Sequence, residues 1–240
     1  MEGIILAGGL GTRLRSVVAD LPKAMAPVAG RPFLEHLLDL LVDAGFESAI
    51  LAVGYRSEAI REHFGERYRG LPLTYSVENH PLGTGGAMRL ALRSAMAGDV
   101  FVVNGDTLAD VDFHSMLEAH RRTAAPITVA VHEVPDTARY GALILNRDRV
   151  YGFREKGRHG PGWINAGIYL VSRSLFDRAS LPDAFSFESD FLVPGVKLLK
   201  PLAFPTRGLF IDIGVPEDYA RAQSLLPARG SAPVWPEASS

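Results

Sequence analysis

The stretch "IILAGGLGTRL" (residues 4–14) joins an apolar run to a glycine-rich turn. An apolar run bounded by glycines predicts a strand that is covered on both faces of a sheet. The glycines that follow, Gly8, Gly9 and Gly11, lack Cβ atoms and can turn backbone N–H groups towards a phosphate. Arg13 would add a planar, permanently charged group for phosphate oxygens. Because ligands bind beyond the carboxyl ends of strands in open α/β sheets, the stretch predicts an α/β fold with an anion site.

The first half of the chain alternates strand-like and helical segments. Nearly continuous apolar runs at 3–8, 49–54 and 99–106 predict strands that are covered on both faces. Apolar residues recur at helical spacing over 31–45 and 83–98. Alternation of this kind implies right-handed crossovers and a parallel sheet.

The second half consists mainly of strand-like segments joined by short connections, which favour mixed or antiparallel pairing. Its strand-like segments are 127–134, 141–146, 149–156 and 164–172. The segment 216–226 predicts a closing helix, since proline is tolerated in the first helical turn. The tail 227–240 is rich in Pro, Ser and Ala, a composition typical of disorder. We find no internal repeat and no linker, so a single domain over 1–226 is predicted.

The composition restricts the classes of function. The 240 residues carry a formal net charge of −2, which argues against a general nucleic-acid-binding protein because that role needs a basic surface. The sequence contains no cysteine, so disulfides, a thiol nucleophile and a cysteine zinc site are excluded. We see no secretion signal and no apolar run as long as a membrane span, and we therefore expect a cytoplasmic protein.

The glycine loop alone leaves several interpretations open. It does not match the P-loop pattern G-x-x-x-x-G-K-[S/T], and the dinucleotide pattern G-x-G-x-x-G lacks its third glycine, where Leu14 stands. A nicotinamide-dependent dehydrogenase is therefore disfavoured. A tight turn without any ligand remains an alternative at this point. The residues that follow the loop are needed to decide.

The loop continues into "LPKAMAPVAGRPFLEH" (21–36), which places Lys23 between two prolines. The pattern G-G-x-G-T-R-L followed by P-K-x-x-x-P-V resembles the signature of sugar-1-phosphate nucleotidylyltransferases. Further matching segments follow in order: "VENHPLGTGGA", "VNGDT", "YGALI", "FREK", "INAGIYL" and "FIDIGVPEDY". The resemblance covers most of the chain and implies a single-domain, Rossmann-like nucleotidyltransferase fold, with a mostly parallel central sheet flanked by helices. It divides the domain into a nucleotide-binding half (about 1–125) and a sugar-phosphate half (about 126–226).

Within this family the chain is most similar to the short bacterial D-glycero-α-D-manno-heptose 1-phosphate guanylyltransferases. The implied reaction is attack by a sugar 1-phosphate oxygen on the α-phosphorus of a nucleoside triphosphate, with pyrophosphate leaving. Positioning and charge neutralisation would carry catalysis, without a protein nucleophile. Mannose 1-phosphate guanylyltransferase, N-acetylmuramate 1-phosphate uridylyltransferase and an inactive nucleotide-sugar sensor remain alternatives. The NDP-sugar would serve capsule, lipopolysaccharide or glycoprotein biosynthesis, and a homodimer is the family-level expectation.

The resemblance implies a Mg²⁺ cofactor held by Asp106 and Asp212. Each aspartate stands at the end of an apolar strand; Asp106 directly follows Gly105, and Asp212 precedes Gly214 by two residues. Mg²⁺ is bound by one or two carboxylates together with phosphates and waters, so two aspartates suffice. Asp110 and Asp112 lie nearby, but Asp112 suits the N-cap of a helix at 113–122.

Cations are expected around both substrates. Arg13 would bind the outer phosphates of the triphosphate, and Lys23 would neutralise phosphate charge in the transition state. The resemblance assigns the sugar and its phosphate to Gly141, Glu155, Lys156 and Asn165. The segment "SFESDFLVPG" (186–195) departs from the sequence pattern expected of the family, and no sugar-binding residue is assigned there.

The base pocket is expected in "VENHPLGTGGA", where Glu78 precedes Gly83 by five residues. A carboxylate only accepts hydrogen bonds, and guanine presents two neighbouring donors on one edge. Uracil presents one donor between two carbonyls, which suits an amide better. Glu78 therefore favours GTP over UTP. The nucleotide site as a whole is expected at Leu6, Ala7, Gly8, Gly9, Gly11, Thr12, Glu78, Gly83 and Thr84.

Overall fold

The structure is a computed structural model that describes residues 1–9, 21–214 and 216–226. In this part of the chain, no helix is long and apolar enough to cross a lipid bilayer. The following predictions lie outside the described residues: the roles of Gly11, Thr12 and Arg13, and the disordered tail at 227–240.

The described strands, in chain order, are β1 (Glu2–Leu6), β2 (Pro27–Val28), β3 (Arg31–Pro32), β4 (Ser48–Val53), β5 (Arg67–Tyr68), β6 (Leu71–Val77), β7 (Asp99–Asn104), β8 (Thr107–Ala109), β9 (Ile127–Val134), β10 (Ala142–Asn146), β11 (Arg149–Arg154), β12 (Gly162–Ser172), β13 (Leu202–Pro205) and β14 (Phe210–Asp212). The described helices are α1 (Phe33–Asp43), α2 (Ser57–Phe64), α3 (Gly83–Leu92), α4 (Phe113–Thr123), α5 (Val193–Leu199) and α6 (Pro216–Leu225). A 3₁₀ turn spans Lys23–Met25, and a π-helix spans Phe187–Leu192 directly before α5.

The main sheet has the strand order β10-β11-β13-β9-β12-β7-β1-β4-β6-β5 among the described residues. Strands β7, β1, β4 and β6 are all parallel, as the alternation in the first half predicts. Strand β12 pairs antiparallel with both β7 and β9, and β10 pairs antiparallel with β11. The predicted α/β class is therefore confirmed, with parallel pairing in the nucleotide half and mostly antiparallel pairing beyond it. Helix α2 and strand β6, which the sequence analysis did not predict, complete the alternation.

Both faces of the sheet are covered, which explains the unbroken apolar character of β1. Ile4 and Ile5 are both fully buried, but they belong to hydrophobic clusters on opposite faces. Successive side chains of a strand point to opposite faces, so a strand covered on both sides needs apolar residues throughout. On one face, the rings of Phe46, Phe101 and Phe113 pack edge to face, with centroids 5.1 to 5.3 Å apart.

Helix α3 ends at Leu92 and is shorter than the predicted segment 83–98. The amides of Met96 and Ala97 do not continue the helix but donate to Glu2 Oε2, both at 2.8 Å. The predicted C-terminal end of this helix was therefore wrong. The Glu2 carboxylate, at the start of β1, accepts hydrogen bonds from amides that would donate to helical carbonyls in a longer helix.

Helix α4 begins where the sequence predicts. Asp112 Oδ1 accepts from the backbone N–H of Ser115 at 2.9 Å, the bond of a helix N-cap. The pKa of Asp112 is lowered by this bond and by the Ser115 hydroxyl, because both stabilise the ionised carboxylate. Asp112 therefore serves the fold, as predicted.

Candidate active site

Two cavities open side by side at the carboxyl ends of the parallel strands. The first cavity, of about 300 Å³, is lined by Leu6, Ala7, Gly8, Gly9, Lys23, Ala24, Glu78, Pro81, Gly83, Thr84, Ala87, Asn104, Gly105 and Asp106. The second cavity, of about 280 Å³, is lined by Asn104, Asp106, Thr107, Arg139, Tyr140, Lys156, Asn165, Gly167, Glu188, Phe210 and Asp212. Asn104 and Asp106 border both cavities. Groups bound in the two cavities would therefore meet at the end of β7.

The structure brings most of the predicted site residues to these cavities. The predicted nucleotide-binding residues that the structure describes line the first cavity, and the predicted sugar-phosphate residues Lys156 and Asn165 line the second. Gly141 and Glu155 line neither cavity. Gly141 has φ of +78°, and a Cβ there would lie 2.9 Å from Arg154 O and 3.7 Å from Lys156 Cγ, so only glycine fits against the segment that carries the lysine. The predicted sugar contacts of Glu155 and Gly141 stay predictions.

Asp106 and Asp212 come from distant parts of the chain and meet through the short ladder of β8 and β14. In this ladder Asp212 pairs with Thr107, the residue after Asp106. Ile213 N also donates to Asp106 O at 2.9 Å. The two aspartates are thus held at the junction of the cavities by backbone pairing.

Lys23 completes this group. Its Nζ donates to Asp106 Oδ2, and a Cβ placed on Gly214 would lie 3.0 Å from Lys23 Nζ and 2.7 Å from Asp212 Oδ1. Burial raises the pKa of Asp212, and the charge of Asp106 raises it further, while the Gly214 amide and Lys23 oppose this shift. Two carboxylates that repel each other, with one cation beside them, form a site that favours additional positive charge.

These residues fit the chemistry of Mg²⁺. Among the described residues no group of three or more His, Cys, Asp or Glu side chains could hold a metal. Asp106 borders both cavities and Asp212 borders the second, which matches a cation whose other ligands are phosphates and waters. The donor set is therefore suitable for a magnesium ion that arrives with a nucleotide.

Glu78 lies against bare backbone at the ends of β1 and β4. A Cβ on Gly8 would lie 2.6 Å from Glu78 Oε1, and a Cβ on Gly54 would lie 2.5 Å from the same atom. Leu82 N donates to Glu78 Oε2 at 3.0 Å and holds the carboxylate in place. Burial raises the pKa of Glu78, while Leu82 N–H and His80 act in the opposite direction. The result is a fixed carboxylate at the wall of the first cavity.

Gly83 and Thr84 lie in the first turn of α3 and contact Phe185 and Phe187, at the start of the π-helix. Gly83 has φ of +68°, and a Cβ there would lie 2.6 Å from Phe185 O. Thr84 Oγ1 accepts from Phe187 N at 2.9 Å. These two predicted nucleotide-binding residues therefore also join the first cavity to a wall of the second.

Sequence reasoning missed three polar residues around the second cavity: Arg139, Glu188 and Asp218. Arg139 Nη2 donates to the buried Asp218 at 2.7 Å, and the hydroxyl of Tyr140 donates to the same oxygen at 3.1 Å. Burial, followed by the charge of Asp218, raises the pKa of Tyr140 to about 12. Arg139 could have been found from the sequence because it directly precedes the "YGALI" segment. For Asp218, the only sequence signal was its place in "VPEDY".

The fold and the site together define the class of protein. The chain matches the family model described as Nucleotidyl transferase over residues 2–229, and it belongs to this family. It is 45% identical over 226 residues to a D-glycero-alpha-D-manno-heptose 1-phosphate guanylyltransferase of Aneurinibacillus thermoaerophilus, covering 94% of this chain and 98% of the relative. A Campylobacter jejuni protein of the same name is 42% identical over 220 residues, covering 91% and 97%. The crystal structure of HddC from Yersinia pseudotuberculosis complexed with GMP-PN superposes with a TM-score of 0.82 at 38% identity, covering 92% of this chain and 97% of that one.

Proposed function

We propose that this protein transfers GMP from GTP to D-glycero-α-D-manno-heptose 1-phosphate and releases pyrophosphate. The observation that carries the proposal is the position of Asp106 at the border of two cavities, with Lys23 and Asp212 beside it. Such a junction suits a reaction between two phosphate-bearing molecules. The similarity to two heptose 1-phosphate guanylyltransferases supports the choice of substrates.

The residues of the chain have separate tasks in this reaction. An oxygen of the sugar 1-phosphate forms a bond to the α-phosphorus of GTP, and the bond from that phosphorus to the bridging oxygen breaks, so that its electrons leave with pyrophosphate. The attacking oxygen is already ionised at neutral pH, and no general base is required. Lys23 neutralises charge at the junction, while Lys156 and Arg139 line the second cavity and suit the sugar phosphate.

Asp106 and Asp212 are the residues that would hold Mg²⁺. When bound, the ion would supply neutralisation of the triphosphate and help to align the reacting groups. Lys23 donates to Asp106, so it keeps that carboxylate oriented before substrates arrive.

Glu78 supports GTP as the donor. Its carboxylate is fixed against Gly8 and Gly54 and accepts one backbone hydrogen bond. The remaining acceptor capacity suits the two neighbouring donors of guanine. A nucleotide with a single donor on that edge would leave one acceptor without a partner.

The proposal is tested by a matrix of four nucleoside triphosphates against heptose, mannose and N-acetylmuramate 1-phosphates, with pyrophosphate release as the readout. We expect the pair of GTP and heptose 1-phosphate to give the highest kcat/KM. Higher turnover with mannose 1-phosphate, or with UTP and N-acetylmuramate 1-phosphate, would replace these substrates. No turnover with any pair would favour the inactive sensor. GTP is an intracellular metabolite, so the proposed reaction belongs in the cytoplasm, and the predicted homodimer is tested by light scattering.

A further inference from the structure

The π-helix Phe187–Leu192 places Glu188 at the second cavity. Phe187 is buried, and its ring packs edge-on against Tyr169 with the centroids 4.9 Å apart. The backbone N–H and the side chain of Ser186 both bond to the turn that follows, at 2.7 and 3.2 Å. Single π-helical turns often occur at functional sites, because they redirect one side chain. Here the anchored turn leaves Glu188 among the lining residues.

The carboxylate of Glu188 is oriented through one of its two oxygens. Oε1 accepts from the Tyr169 hydroxyl at 2.6 Å and from Asn165 Nδ2 at 2.8 Å. Asn165 Oδ1 accepts from Gly167 N at 3.0 Å, which fixes the orientation of the amide. Both ends of Asn165 are thus engaged, whereas Oε2 of Glu188 accepts no hydrogen bond from the described residues. Oε2 of Glu188 is therefore available to accept a hydrogen bond from a ligand in this cavity.

The charge of Glu188 selects the kind of group it can bind. A carboxylate accepts hydrogen bonds and repels phosphate, while Arg139 and Lys156 in the same cavity attract it. A sugar hydroxyl is the donor that a sugar phosphate offers. We propose that Glu188 is a specificity-determining residue that accepts a hydrogen bond from a ring hydroxyl of the sugar 1-phosphate through Oε2. This inference rests on the proposed function.

Thr84 is a positioning residue for Glu188. Its Oγ1 accepts from Phe187 N at 2.9 Å, one residue before Glu188. The amide of Gly85 donates to Phe185 O at 2.9 Å and ties the same segment to α3. The first turn of α3 therefore holds the residue that reads the sugar, although Thr84 itself lines the first cavity.

The first experiment compares Glu188→Ala and Glu188→Gln with the wild type, with Glu118→Ala on the exposed face of α4 as the control. We expect Glu188→Ala to raise KM for the sugar phosphate and the Kd from direct titration about ten- to a hundredfold, with KM for GTP almost unchanged. Glu188→Gln keeps one acceptor oxygen and should lose less. Equal changes for both substrates, or no change, would refute the role of Glu188.

Deoxy analogues of whichever sugar phosphate the wild type binds identify the hydroxyl. One analogue should bind about as weakly to the wild type as the parent sugar binds to Glu188→Ala, and it should lose nothing further in that variant. Independent, additive losses for every analogue would exclude this contact. Because titration does not depend on turnover, this test still gives a result if GTP is not the donor. Absence of wild-type turnover with every pair, by contrast, would count against the proposed function alone.

Thr84→Val and Thr84→Ser test the positioning role, with circular dichroism as the check of folding. The valine removes the acceptor for Phe187 N, and the serine retains it. We expect the KM for the sugar phosphate to rise several-fold in Thr84→Val and to be restored in Thr84→Ser. An increase confined to the KM for GTP would show that Thr84 serves the nucleotide only.

Discussion

The position of the Glu78 side chain depends on two neighbouring residues, Gly8 and Gly54, that have no side chain. Its carboxylate occupies space that a Cβ on Gly8 or Gly54 would need. Gly8 also lines the first cavity, whereas Gly54 does not. A substitution at Gly54 would therefore change the position of Glu78 without altering a residue that lines the first cavity.

Gly54→Ala is expected to displace Glu78 and to raise the Kd of GTP about tenfold or more, because a bond between guanine and a charged acceptor is lost. The added methyl would meet Glu78 Cγ at 2.8 Å, and a flexible side chain can move, so the melting temperature should change little. Gly98→Ala is the matched control, since a Cβ there meets nothing within 4 Å. Unchanged GTP affinity in Gly54→Ala would show that Glu78 does not read the base.

The pH dependence of guanine binding belongs to the same residue. Burial raises the pKa of Glu78, and only the ionised carboxylate accepts from both guanine donors. Affinity should therefore be full at neutral pH and fall as the pH drops through this raised pKa. Titration with guanosine, which has no phosphate to titrate, measures the effect, and Glu78→Gln should abolish it. A profile that is the same in the wild type and in Glu78→Gln would contradict the assignment.

At the scale of elements, the first strand and the end of α3 depend on each other. Glu2, at the start of β1, accepts from the amides of Met96 and Ala97 and from the Ser48 hydroxyl at 3.3 Å. Glu2 is only 7% exposed, and its hydrogen bonds to Met96 and Ala97 are partly buried. The carboxylate replaces the helical carbonyls that the amides would otherwise need.

Glu2→Ala should lower the free energy of unfolding by about 1–3 kcal/mol, because it removes the acceptor of two partly buried amides. Urea denaturation followed by circular dichroism measures this change. Glu47→Ala removes an exposed ion pair with the N-terminus and should cost less than about 1 kcal/mol. kcat should stay at the wild-type value in both variants, because neither residue lines a cavity. A loss of stability no larger than that of Glu47→Ala would remove Glu2 from this role.

At the scale of the whole molecule, the order of strands brings Asp106 and Asp212 together. One follows β7 in the parallel half, and the other ends β14, and the pairing of β8 with β14 closes the distance. Burial and the repulsion from Asp106 raise the pKa of Asp212, because both disfavour its ionised form. In the proposed enzyme, a bound cation would relieve this repulsion.

Asp212→Asn should lower kcat at least about a hundredfold through loss of electrostatic stabilisation, without lowering the free energy of unfolding, because the repulsion with Asp106 is relieved. Steady-state kinetics with Mg²⁺ and urea denaturation measure the two effects. Asp110→Asn, whose carboxylate lines neither cavity, should retain activity. Retained turnover in Asp212→Asn would exclude its part in catalysis.

Local features of the chain were readable from the sequence. The alternation of apolar and helical segments predicted β1, β4, β7, α1 and α4, since hydrophobic period and capping residues act over a few positions. The position of the glycine loop after β1 predicted a ligand site at the carboxyl ends of the parallel strands, and the first cavity lies there, while its ligand stays a prediction. The bounds of α3 were not readable, since Glu2 lies 94 residues away from Met96.

The sequence by itself determined the α/β class, the strand ends that carry polar residues and the family of the chain. Only the tertiary structure decided that Glu188 joins Asn165 and Tyr169, that Asp218 orients Arg139, and that Glu155 lies outside both cavities. These contacts depend on strand order and on side-chain packing across both faces of the sheet. Residues far apart in the chain are brought together by the burial of the core, which no local pattern encodes.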